Sequence, residues 1–257
     1  MLIQLHSLLH TGERQSVDIF LAQADGQTCV LKRYSKDKIR ESLLKRELAN
    51  ITNVAHDKVV NLLFQHWQGD EIYVGFEYCM TGDLFTHMSL HSPLSEWTAK
   101  TFTLDILSGL EHIHSKGIMH RELASENILI ANGVAKITGF AESVAILPNH
   151  IYSMKGIPDY MAPEQILGFS YDHKVDMWAV GCLVFEMLTG NTPYNADEAP
   201  QLVRRILQND KHTTTTISAR PLSLIESLLT EADERLDSAA ALQHEWFFHS
   251  SSVEVNI

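Results

Sequence analysis

The period of the hydrophobic residues changes once along this chain, and that change limits what it can fold into. Up to about Phe76 the apolar residues fall in short strand-like runs, Val17–Ala22, Thr28–Arg33, Val59–His66 and Glu71–Phe76, rich in Val, Ile, Phe and Tyr. One helical stretch interrupts them. Between Lys36 and Val54 the residues Ile39, Leu43, Leu44, Leu48, Ile51 and Val54 recur at helical steps and give a charged helix one buried stripe. After Thr81-Gly82-Asp83 the period is helical throughout. Phe102, Ile106, Leu107, Leu110 and Ile113 mark a long amphipathic helix whose start is set by Ser92-Pro93 and capped by Ser95. Residues Asp176–Leu188 are apolar on nearly every face, which describes a helix at the centre of a lobe. The expectation is an α+β chain in two lobes: a small β-rich part with one helix over residues 1–76, a connection at 77–83, a larger mainly α part over 84–250, and a frayed tail at 251–257.

Composition limits the partners. Twenty Lys and Arg against 32 Asp and Glu give the 257-residue chain a formal charge of −12, so its field repels polyanions and argues against nucleic acid or an anionic membrane. The most apolar stretch, Trp178–Thr189, has Asp176 before it and Glu186 within it, short of the roughly 18 uncharged residues of a membrane helix. Cys29, Cys79 and Cys182 are few, odd in number and far apart, and the first residues lack a basic segment followed by an apolar core. These features predict a reduced compartment, cytoplasmic with the nucleus left open. Of the 14 histidines, His112 and His114 stand closest, but two positions apart on a helix they point to different faces, which argues against a metal pair.

The landmarks in order are Gly12, Val17, Cys29-Val-Leu-Lys32, Glu47, Phe76-Glu-Tyr78, His120-Arg-Glu-Leu-Ala-Ser-Glu-Asn127, Lys136-Ile-Thr-Gly-Phe-Ala141, Gly156-Ile-Pro-Asp-Tyr-Met-Ala-Pro-Glu164, Asp176-Met-Trp178 and Arg235. Taken together they resemble the eukaryotic protein kinase domain along essentially the whole chain, and the Pro-x-Tyr-Met-Ala-Pro-Glu block resembles its Ser/Thr branch. The resemblance implies a two-lobed protein-kinase-like fold and ATP as ligand. It assigns nucleotide binding to Gly12, Val17, Val30, Lys32, Glu47, Glu77, Cys79, Asp83 and Leu129, with Lys32 and Glu47 paired across the small lobe. Val30, where the family has Ala, narrows the adenine slot, and Phe76 restricts the space behind it. Ile51, Leu62, His120 and Phe140 map onto the apolar column that joins the lobes. Glu164 with Arg235, and Asp176 beneath the catalytic loop, map onto fold-keeping positions.

The chemical positions depart from the family. The lid glycine pattern reads His10, Gly12 and Gln15, and two side chains where glycine lets amides approach phosphate weaken the cradle. The base Asp is Glu122. Its extra methylene moves the carboxylate by about 1 Å, a misplacement that costs around a hundredfold where geometry supplies the rate. Ala124 stands for the Lys beside the transferred group. Asn127 keeps the second metal position, but Gly139 replaces the principal Mg²⁺ carboxylate, which counts against Mg²⁺ because that ion demands near-ideal oxygen geometry. Glu142, three residues on, is a poor substitute. Ser143, Tyr152 and Ser153 are hydroxyls that could be phosphorylated and meet Arg121, or plain exposed loop residues.

Fold and function therefore separate. The resemblance with these departures implies first a pseudokinase that regulates or scaffolds protein partners, an active kinase among them. The alternative is a weak Ser/Thr kinase with Glu122 as base, in which Gly139→Asp raises turnover by orders of magnitude. A third reading is a switch that holds ATP through Lys32 without metal. With no long segment before the first strand and a short one after the last helix, partners are expected on the kinase-like surface, where the acidic field favours basic segments.

Overall fold

The computed structural model describes residues 2–11, 17–148, 150–212 and 214–248. Its small lobe is an antiparallel sheet of β1 (Ile3–Thr11), β2 (Val17–Ala24), β3 (Gln27–Ser35), β4 (Leu62–Gln68) and β5 (Glu71–Glu77) in the order β1-β2-β3-β5-β4. β2 and β3 close on Asp25-Gly26, both at positive φ, the two-residue turn whose twist suits adjacent strands. β1 carries no strand-like alternation in the sequence. Its side chains are almost all exposed, and two irregularities in its pairing with β2 scramble the period.

Two boundaries differ from the sequence expectation. The strand expected from Val59 begins at Leu62, because Val59 and Val60 turn to the large lobe, Val60 donating to the Ile137 carbonyl at 2.9 Å. The helix expected from Lys36 begins at Glu41 (α1, Glu41–Asn53), because Lys36 bonds Asp70 and Gly69 in the β4–β5 turn. Its stripe of Leu44, Leu48 and Ile51 is buried as expected.

The connection between lobes is shorter than expected. Glu77 still belongs to β5, and Gly82–Asp83 (β6) already pair with Ile130 and Leu129, with Asp83 capping the first helix of the large lobe through Thr86 N at 2.7 Å. Then follow α2 (Leu84–His91), α3 (Glu96–Ser115), β7 (Ile118–Met119), β8 (Ile128–Ala131), β9 (Val134–Ile137), β10 (Val144–Ala145), α4 (Pro163–Ile166), α5 (Lys174–Thr189), α6 (Ala199–Leu207), α7 (Ala219–Leu228) and α8 (Ser238–Leu242). Ser95 caps α3 through Thr98 N, as its place in the sequence requires.

α5 is the axis of the large lobe. Every residue from Val175 to Met187 is buried, and α7 crosses it so closely that a Cβ at Gly181 would meet Leu229 Cδ2 at 2.8 Å. Each buried side chain of this kind contributes about 1.5–3 kcal/mol. One apolar cluster runs from Leu44 and Ile51 in α1 through Phe140 to Trp246, so both lobes share a core. Arg235 packs on Trp178 at 5.0 Å and pairs with Glu164 at 2.7 Å, its side chain wholly buried. Loss of one partner from such a pair costs about 3–5 kcal/mol.

α5 also carries a buried carboxylate. Glu186 accepts from the Tyr160 hydroxyl at 2.6 Å, and burial raises it from 4.5 to about 7. It therefore holds its proton more tightly folded than unfolded. Its stabilising contribution is complete below 4.5 and is lost as the pH rises through about 7. Relative to Glu186→Gln, the native chain should lose up to about 3 kcal/mol between pH 4.5 and 7.5, read from urea midpoints; a pH-independent difference would contradict this.

Candidate functional site

The loop after β7 is fixed from below by Asp176. Its Oδ2 accepts from His120 N at 2.8 Å and meets His114 Nε2 at 2.9 Å, and its Oδ1 accepts from Arg121 N at 2.8 Å. Burial opposes its charge, but the bonds from His114 and the loop hold it below the usual carboxylate range. His120 Nε2 donates to the Thr138 carbonyl at 2.7 Å and Nδ1 receives Glu122 N, so the imidazole is neutral with its proton on Nε2. Burial keeps it so. Its ring meets Phe140 edge-on at 5.0 Å, and Ile51, Leu62 and Phe140 lie in the shared core.

Glu122 stands over this loop, its carboxyl raised by burial and by the nearby Glu142. Ala124, where the family has Lys, is fully buried in the core, so nothing polar leaves the loop there. Asn127 is placed by its backbone, which accepts from Thr138 N at 2.9 Å, and by its side-chain Nδ2, which donates to the Glu122 carbonyl at 2.7 Å.

Gly139 follows with φ +84° and ψ 49°. A Cβ built there would lie 2.3 Å from Asn127 Oδ1 and 2.6 Å from its Cγ. The space into which a carboxylate at this position would project is filled by the Asn127 amide. Glu142 does not replace it, since its Oε1 is held by Lys155 at 3.0 Å. Among the described residues no group of three or more His, Cys, Asp or Glu is placed to hold a metal ion. One neutral amide oxygen does not make a Mg²⁺ site, so the donors present do not fit that ion.

The nucleotide positions are only partly assembled. Lys32, in β3, makes no ion pair with Glu47 of α1; its Nζ lies over the Phe76 ring at 5.1 Å. The family pairing is absent because α1 is fastened elsewhere. Arg46 donates to the Ala141 carbonyl at 3.1 Å and Asn50 to the Ser143 carbonyl at 3.1 Å and hydroxyl at 2.9 Å. Val30 lies opposite Phe76 in the β3–β5 register, and Leu129 opposite Lys136 and Asp83 in the sheet below. Val17 opens β2 half-buried, and His10 is exposed in β1 opposite Ile19. Gly12 and Gln15 lie outside the described residues. The Glu77 carboxylate takes Lys136 Nζ at 2.7 and 2.9 Å and Asn61 N at 2.8 Å, tying β5 to β9 across the lobes. Cys79 is buried, its thiol pushed up to about 11 by burial.

Of the three hydroxyl residues named as candidates for phosphorylation, Ser143 and Tyr152 are buried, so the exposed-loop reading holds only for Ser153. Ser143 is fully buried, donating to the Phe140 carbonyl at 2.6 Å. The Tyr152 hydroxyl donates to the Ala145 carbonyl at 2.9 Å and accepts from Leu147 N at 2.7 Å. Ser153 meets Arg121 through its carbonyl. The guanidinium lies against the Tyr152 and Tyr171 rings at 5.5 and 5.8 Å, on one side of the pair, since the two rings meet each other at 5.3 Å. Three features escaped the sequence: this cation–π contact, the Glu77–Lys136 tie, and the Ser125–Tyr160–Glu186 bonds. For the last, a signal existed, Glu186 inside the apolar stretch of α5.

The Asn127 amide makes a definite prediction for reversion. The left-handed backbone at Gly139 strains any side chain placed there, and the Asn127 amide must swing aside and give up its bond to the Glu122 carbonyl. Gly139→Asp should lower the thermal midpoint by several degrees, in keeping with a cost of about 1–3 kcal/mol, and should not confer Mg²⁺-dependent phosphoryl transfer. A gain of turnover by orders of magnitude would overturn this account of the site.

Comparison with known proteins gives the family of the chain. Residues 3–247 match the family model described as the protein kinase domain. Protein kinase 2 of Dictyostelium discoideum is 31% identical over 243 residues, covering 86% of this chain and 51% of the relative. An Aurora kinase of Saccharomyces cerevisiae is 29% identical over 254 residues, covering 96% and 69%. Aurora kinase C of Mus musculus is 31% identical over 208 residues, covering 80% and 75%. The chain thus spans from about half to three quarters of the length of these relatives. On its landmarks, its two-lobed fold and this match, the chain belongs to the protein kinase domain family.

Proposed function

We propose that this kinase domain is a pseudokinase, acting by binding protein partners as an allosteric regulator or scaffold and not by transferring phosphate. The observation that carries the reading is the Asn127 amide, 2.3 Å from a Cβ at Gly139, in place of a metal carboxylate. Phosphoryl transfer rests on positioning and charge neutralisation. Here the metal carboxylate, two of the three lid glycines and the Lys beside the base are missing, whereas Asp176, Arg235 and the shared core keep the framework. Partners are proteins, and an active kinase is one that such a framework suits. The formal charge of −12 counts against nucleic acid. No helix among the described residues is long and apolar enough to cross a membrane. The three scattered buried cysteines support a reducing, cytoplasmic setting.

A second reading has its own support. Lys32 makes no ion pair with Glu47 and lies over Phe76, near enough to Glu122 for its charge to act on that carboxyl, and an ammonium so placed suits a phosphate; ATP held without metal would make the domain a nucleotide switch. The weak-kinase reading is favoured only by Glu122, whose raised carboxyl suits a base.

Thermal unfolding with ATP in excess chelator, then with ATP and Mg²⁺, separates the three, with Lys32→Ala as control. A ligand at about a hundred times its dissociation constant stabilises by about 2.7 kcal/mol, several degrees for a chain of this size. The pseudokinase reading predicts no shift that requires Mg²⁺ and no transfer to protein hydroxyls. A Lys32-dependent shift in chelator would assign the switch. A shift confined to Mg²⁺, with Lys32-dependent transfer, would overturn the proposal.

A further inference from the structure

A groove of about 470 Å³ opens in the large lobe between the segment Ile146–Pro148, the start of α5 and the loop before α8. It shares no residue with the catalytic loop 120–127. Its volume falls in the range of sites that take a few anchoring side chains. The apolar part of the wall is Ile146, Leu147 and Pro148, with Leu147 half exposed although nothing in the fold requires it to be.

The wall is held in shape without any modification. Tyr171 lines the groove and also meets the Arg121 guanidinium. Its ring meets Tyr152 at 5.3 Å, and its hydroxyl donates to the Ser153 carbonyl at 3.2 Å. Tyr152 in turn fixes Ala145 and Leu147 through its own hydroxyl. Arg121, 6% exposed, thus touches both rings of the pair that fixes the segment carrying the apolar wall. The groove stands open in this packing.

The charge of the groove selects its occupant. Asp172 and Asp233 are exposed, and neither has an ion pair among the described residues. The third carboxylate, Glu164, is spent on Arg235. The one ammonium, Lys174, donates to the Ala232 and Asp233 carbonyls at 2.9 and 3.3 Å and stays on the groove wall, so the two unpaired carboxylates outnumber it. Glu231 and Glu234 flank Asp233 in the chain. An apolar seat with an acidic rim complements a segment that presents aliphatic side chains beside Lys or Arg. The same argument rejects a second copy of this chain, since two bodies of charge −12 repel.

We infer that this groove is the docking site for a basic amphipathic segment of a partner protein. The inference rests on the binding role proposed above and specifies its surface and the chemistry of its partner. Aliphatic residues of the segment sit on Ile146, Leu147 and Pro148 while its cations meet Asp172 and Asp233.

The probe is a short labelled peptide with Leu at helical spacing and Lys on the remaining positions; its twin carries Glu for every Lys. Polarisation is read on the whole chain without nucleotide. The expected result is saturable binding of the Lys peptide only. Binding should weaken by roughly tenfold or more in Asp172→Lys/Asp233→Lys and by roughly tenfold in Leu147→Ser. The same charge change placed on the exposed Asp70 and Glu111 should alter it by no more than about twofold, which separates a site from the general acidic field. Equal loss in both double variants, binding of the Glu twin, or no saturable binding would overturn the inference. So would self-association by sedimentation that the Asp172/Asp233 reversal abolishes, which would give the groove to a second copy. Phosphoryl transfer by the chain would sink the functional reading and leave this binding result standing, so the two failures are distinguishable.

Discussion

Asp176 is the point on which the rest of the structure depends. It sits in the first turn of α5, the most buried helix, and grips the backbone amides of His120 and Arg121 from beneath. A buried carboxylate costs several kcal/mol to desolvate, and here two amides and His114 offset that cost with charge-assisted bonds. Because α5 is immobilised by α7 and by the apolar cluster around Trp178, the loop it grips inherits that rigidity. Everything chemical is then measured from this loop: Glu122 by its neighbours, Asn127 by its bond back to the Glu122 carbonyl, Gly139 by the His120 bond to Thr138.

The same rigidity underlies the proposal that the site is not a transfer centre. A loose loop could let a distant carboxylate wander into the place of the missing one. This loop offers none, because Gly139 carries no side chain and Glu142 is engaged by Lys155. α1 is fastened to the following turn through Arg46 and Asn50, which leaves Lys32 over Phe76 instead of against Glu47. Framework and chemistry have parted at particular atoms. The contact of Arg121 with two tyrosine rings is likewise set by packing.

Much of the fold was legible because it rests on period and punctuation. The α1 stripe, the Ser95 cap and the all-round apolar α5 are local signals, and each appears where the residues place it. β1 was not legible, since an edge strand with exposed side chains and an irregular register carries no alternation. The early end of the inter-lobe connection was missed because Gly82-Asp83 owes its strand character to β8, far along the chain. In the site, the loss of a carboxylate at Gly139 was plain in the sequence, but what fills the space was not, because a vacancy and an occupied niche read identically as glycine. The failed Lys32–Glu47 pair was hidden for a related reason: both residues are present, and only the tilt and anchoring of α1 decide whether they meet.

The central claim is that no metal can be held where Asn127 faces Gly139. Water-proton relaxation of Mn²⁺ with ATP, with and without the protein, tests it most directly, since Mn²⁺ takes Mg²⁺-type oxygen sites and reports a change in its shell. The account predicts the relaxivity of the Mn²⁺–ATP complex to be unchanged by the protein. An enhancement that Asn127→Ala abolishes would contradict it.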